Sequence, residues 1–196
     1  SSRTNFTYSF SFYDPIDDVE IRLSQSRTPL INSTLPTGST SDFNLTMRLR
    51  VVDLETGDFG LAEKTIKVRP YFGEGLLTQR LSDVVEQGGD YREMIAIASQ
   101  VSAASRKEIK DHYDDLSSIV NRLVNYTKNS TSEMDAVAIE QQMYVIDLIT
   151  RNRLIVSEES KKISLDIVSV IIEHDDQSTN PIITNNAVQN MANIIS

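Results

Sequence analysis

The chain of 196 residues has no cysteine. A disulfide framework, thiolate zinc sites, iron–sulfur clusters and cysteine nucleophiles are therefore excluded. Histidine is nearly as scarce. His112 sits in Lys110-Asp111-His112-Tyr113 and His174 in Glu173-His174-Asp175-Asp176. Neither has a second histidine at ligand spacing, and HExxH, GxSxG, P-loop and GxGxxG patterns are all missing. Both read as solvated surface histidines. No apolar run approaches the roughly 20 residues needed to cross a bilayer. The most apolar stretch, Ile163 to Ile172, is interrupted by Ser164, Asp166 and Ser169. Positive charge is short as well. The formal net charge is -9, and the densest basic stretch, Arg106 to Lys110, is broken by Glu108. Nucleic acid and anionic membrane surfaces are disfavoured as partners.

What is present is ordinary for a globular chain, with 39% hydrophobic and 24% charged residues. The start, Ser1-Ser2-Arg3-Thr4, carries no targeting pattern. It reads as the middle of a longer protein, so any signal peptide or anchor is expected outside this segment. Five N-x-Thr sequons stand out: Asn5-Phe6-Thr7, Asn32-Ser33-Thr34, Asn44-Leu45-Thr46, Asn125-Tyr126-Thr127 and Asn129-Ser130-Thr131. Composition alone yields about 2 such motifs. The excess points to N-linked glycans and a secretory route.

The first third alternates. Phe6, Tyr8, Phe10 and Phe12 fall on one face, with Thr7, Ser9 and Ser11 on the other. Val19, Ile21 and Leu23 repeat the pattern, as do Phe43, Leu45, Met47, Leu49 and Val51. Thr65-Ile66-Lys67-Val68-Arg69 reads as a last strand stopped by Pro70. Four or five strands are too few for a sandwich of about seven. Earlier strands of the module are therefore expected to precede residue 1 or to come from another polypeptide.

From residue 72 the period becomes helical. Leu76 to Val85 mark one helix, Met94 to Val101 a second and Ile109 to Leu123 a third. Ser130-Thr131-Ser132-Glu133 reads as a capping box opening a fourth, through Ile149. A fifth spans Ser157 to about Glu173, followed by a loop over Asp175 to Pro181. The last follows Asn185 or Asn186. The expected fold class is α+β in separate regions. Residues 1–71 form a partial immunoglobulin- or PKD-like sandwich, and residues 72–196 an antiparallel helical bundle. Gly73-Glu74-Gly75 is the turn between them.

One acidic constellation is a weak calcium candidate. Asp14, Asp17, Asp18 and Glu20 lie between two strands, and Asp53, Glu55 and Asp58 lie in a later turn. Loops of this kind can supply oxygen ligands to Ca²⁺, with Asp14, Asp17, Asp18 and Asp53 as donors. No EF-hand pattern exists, and Asp is also simply a good turn former. No cofactor, catalytic or firm metal residue is assigned.

Four stretches carry a family resemblance: Tyr8-Ser9-Phe10-Ser11-Phe12, Leu35-Pro36-Thr37-Gly38, Leu49 to Gly57 and Thr65-Ile66-Lys67-Val68. Together they resemble the aromatic strand, LP-x-G turn, V-x-V-x-D-x-x-G strand and closing V-x-V strand of the REJ (receptor for egg jelly) region of polycystin-like proteins. The resemblance implies PKD- and fibronectin III-like sandwich modules, then a helical stretch leading to a GAIN-type autoproteolysis domain. It implies the extracellular part of a large cell-surface protein, of a kind often ciliary or flagellar. The cysteine-containing proteolysis motif is missing, so autoproteolysis is not assigned. The expectation is a non-catalytic interaction and scaffold segment, with protein partners or modules of the same parent chain. It does not itself insert in a membrane. The alternative is a structural subunit of an extracellular filament or cell coat, its sheet edge completed by a neighbour. A carbohydrate-active enzyme domain is the minor alternative; nothing in the sequence places two carboxylates across a cleft.

Overall fold

Period-2 alternation becomes a four-stranded antiparallel sheet in the computed structural model, which describes residues 5–38, 41–71, 76–88, 90–129, 136–176, 183 and 185–195, apart from the side chains of 174–176, 186 and 195. The strands are β1 (Phe6–Asp14), β2 (Val19–Ser26), β3 (Asn44–Asp53) and β4 (Phe59–Lys67). Their order in the sheet is β2-β1-β3-β4. Phe12 pairs with Ile21 on one side and Met47 on the other, so the apolar positions of three strands share one inner face. A bulge between Phe10 and Ser11 shifts the β1–β2 register. Leu23 falls at this shift and is buried with Val19 and Ile21.

The last strand differs from its sequence expectation of Thr65 to Arg69. It starts at Phe59 and ends at Lys67. Almost all of it is exposed on both faces, so its side chains carry little burial signal. Val68, past its end, gives its N–H to Phe43 O and accepts from Gly38 N at 3.0 Å. That approach needs glycine, because a Cβ at residue 38 would lie 2.2 Å from the Phe43 carbonyl carbon.

Among the described residues seven helices follow: α1 (Leu76–Glu86), α2 (Tyr91–Ser102), α3 (Arg106–Asp111), α4 (Tyr113–Asn129), α5 (Ala136–Arg151), α6 (Glu158–Asp176) and α7 (Asn185–Ile195). The expected third helix is two, broken at His112, whose φ of -131° ends α3. Ser105 and Glu108 form a reciprocal capping box at the start of α3. The capping box read at Ser130 to Glu133, the turn at Gly73 to Gly75 and most of the loop before α7 lie outside the described residues. Asp175 and Asp176, read as loop, instead extend α6. Arrangement and class are thus α+β, a four-stranded sheet followed by helices.

Helix α5 is the centre of the molecule. Every residue from Ile139 to Ile149 is buried, the pattern of a helix surrounded by protein rather than lying on a surface. It packs against α2, α4, α6, α7 and β2. Phe12, Val19, Ile21, Leu23 and Leu45 of the sheet join the helical side chains in one continuous buried cluster. The Phe12 and Tyr144 rings meet at 5.6 Å between centroids. None of the described helices is long and apolar enough to cross a membrane.

Candidate functional site

Burying α5 on all sides also buries its polar residues, and each needs a partner. Gln141 Nε2 donates to Arg22 O at 2.6 Å, and Gln142 Nε2 to Thr127 O at 2.6 Å. The most concentrated polar group lies at the C-terminal end. Arg151 extends its guanidinium into three carboxylates. Nη1 meets Asp14 Oδ2 at 3.0 Å, Nη2 meets Asp147 Oδ2 at 2.6 Å, and Nη2 also pairs with Asp17. Tyr144 Oη donates to Asp14 Oδ2 at 2.7 Å. Asp14 closes β1, Asp17 sits in the β1–β2 turn, and the other three side chains project from α5. The side chains of Asp14 and Asp147 are only 1% and 2% exposed. This cluster ties the sheet to the central helix.

Its electrostatics follow from burial and crowding. The Asp147 carboxyl is pushed up to about 7, first by burial and then by the negative charge of Asp14, against a hydrogen bond from Asn193 that favours the charged form. Burial and the neighbouring Asp14 carboxylate push the Tyr144 phenol well above its ordinary range. Burial lowers the Arg151 guanidinium, while Asp14 supports its charge. A cleft of about 560 Å³ opens beside the cluster. Asp17, Asp147, Arg151, Lys161 and Asn193 line its polar side, and Ile16 and Leu165 its apolar side.

Of the four aspartates considered for calcium, only Asp14 and Asp17 are brought together, on the Arg151 guanidinium. Asp18 has a positive φ of 56° and accepts from Tyr13 Oη at 2.5 Å. Asp53 is at the far end of the sheet, opposite Phe6, and its Oδ1 accepts from Glu55 N at 2.8 Å within the turn. Among the described residues no three His, Cys, Asp or Glu side chains are grouped to hold a metal ion. His112 is the half-buried C-cap of α3. The side chain of His174 lies outside the described residues.

The second feature is the outer face of the sheet. Arg48 lies between Glu20 (2.9 Å) and Glu63 (2.6 Å), with its guanidinium 4.7 Å from the Tyr13 ring centroid. Arg50 stacks at the same distance on Phe59. Ser11 donates to Glu20 at the centre of this face. The sheet ends at β4, where Phe59 and Leu61 are 65% and 58% exposed. The five sequon asparagines are all exposed: Asn5 before β1, Asn32 in the long connection, Asn44 at the start of β3, and Asn125 and Asn129 on α4.

Sequence reasoning missed Asp147 and Arg151. Their spacing of four along α5 was the available signal, since it puts both on one helical face. No family model, curated protein or solved structure matches the chain.

Proposed function

We propose that this chain is a non-catalytic interaction and scaffold segment of a large extracellular surface protein of the REJ/polycystin-like kind. The observation that carries the reading is the exposure of all five sequon asparagines, which leaves each accessible to a glycan. The chemistry of the Arg151 cluster agrees. Its carboxylates are engaged with a guanidinium and a phenol that join two parts of the fold, an arrangement suited to holding structure. In this reading the sheet is half of a PKD-like sandwich and residues 76–195 are the helical bundle beside it. A second sheet lies on the outer face in this reading, because Phe12 and Ile21 of the inner face are already buried in the shared core. The ligands are protein modules meeting the outer face, where arginines and aromatic rings stand together.

The test is binding and modification together. Protein secreted from a eukaryotic host carries glycans at these asparagines. Charge reversal at the exposed Arg50 weakens binding to flanking modules of the parent chain and leaves the fold intact. Binding unchanged by Arg50→Glu removes the outer face from the proposal.

One observation favours a filament subunit as the second reading. Strand β4 ends the sheet with exposed Phe59 and Leu61, a suitable edge for an added strand. In that case the isolated protein self-associates, and Leu61→Lys abolishes the association.

A further inference from the structure

Asp14, Asp17 and Asp147 place three potential negative charges against the one positive charge of Arg151. All three meet a single guanidinium across a packed junction, Asp14 and Asp17 from the end of β1 and the turn after it and Asp147 from α5. The surroundings do little to redress the balance. Lys161, from α6, lines the adjoining cleft but is held by Glu158 at 2.6 Å. Arg153 also lines the cleft and is exposed. From α5, Tyr144 contributes a neutral phenol that donates to Asp14. From α7, Asn193 contributes a neutral amide. Asp18 is turned to Tyr13, away from the cluster.

We propose that the Arg151 cluster is a proton-operated latch, which fastens the β1–β2 turn to α5 when it holds one proton and loosens when that proton leaves. With a proton on Asp147, two carboxylates remain for the guanidinium, and Asp147 and Asp14 no longer repel each other. Without it, buried like charges face each other across the junction. Asp17, at 11% side-chain exposure, borders the cleft and is the most exposed of the three carboxylates.

The direction follows from linkage. The folded protein holds this proton up to about 7, whereas an unfolded aspartate releases it near 3.8. Between these values the folded state binds the proton and the unfolded state does not. The contribution of this group to stability therefore falls as pH rises through that window. Above it the full cost of the buried charge remains. This is opposite in sign to an ordinary salt-bridged aspartate.

The latch is tested by ¹³C carboxyl NMR titration of the wild-type chain and by hydrogen exchange. One aspartate carboxyl should titrate near neutrality. Exchange protection at residues 16–19, corrected for intrinsic rates, should fall about tenfold from about pH 6 to about pH 8, while α2 stays unchanged. In Asp147→Asn the protection should be equal at both pH values. If Asp147→Asn does not fold, Asp14→Asn, which removes the like charge facing Asp147, should move the Asp147 titration and the loss of protection to lower pH. The proposal is overturned if every aspartate carboxyl titrates below about pH 5, or if protection at the turn does not change with pH.

Discussion

Arg151 is the residue on which the junction depends. Removing it leaves Asp14, Asp17 and Asp147 buried without their cation, which is costlier than losing the pair's net contribution. Arg151→Met should destabilise the protein by about 3–5 kcal/mol in urea denaturation near neutral pH. The loss should be smaller in acid, where the carboxylates are protonated. A loss below about 1 kcal/mol at neutral pH would place the cluster among weak surface pairs instead. Phe12 makes the complementary apolar tie, packed at 1% exposure against Tyr144. Phe12→Ala should cost about 3–5 kcal/mol, measured the same way. The aromatic strand made Phe12 legible as core, because it alternates with serines. Arg151 was not legible as the centre of a cluster, since an arginine at a helix end is usually solvated and two of its three partners, Asp14 and Asp17, lie far away in the sequence.

Among the elements, legibility tracked burial. β1, β2 and β3 turn Phe12, Val19, Ile21, Leu23 and Leu45 into the core, and their alternation survives in the sequence as apolar and polar residues in turn. β4 buries almost nothing, so its first half, Phe59-Gly60-Leu61-Ala62, carries no inward pattern and its start was missed. The helices were readable as elements, but the break at His112 was not. Apolar positions on both sides of it, Ile109 and Leu116, continue one stripe across the interruption. The capping signal that marks the new start is Ser105 with Glu108, and it has a measurable consequence. Ser105→Ala should remove the Oγ acceptor of Glu108 N and cost about 1 kcal/mol. Increased hydrogen exchange should be confined to α3, and an effect spreading into α5 would contradict a local cap.

At the scale of the molecule, the sequence reads as two regions, yet sheet and helices contribute to one buried cluster. The reason is topological. α5 comes late in the chain but lies against both the sheet and the other helices, a placement no local period can report. A shared core predicts joint unfolding. Denaturation followed at Tyr144 and by helical circular dichroism should give one coincident transition, and two separated midpoints would show independent units. The extracellular reading rests on the sequons, whose sites are spread from the residue before β1 through the long connection and β3 to α4. The most direct test is peptide mass spectrometry of the natively purified protein before and after N-glycosidase. The account predicts glycan mass on Asn5, Asn32, Asn44, Asn125 or Asn129, removed by the enzyme. All five asparagines unmodified in the native protein would contradict it.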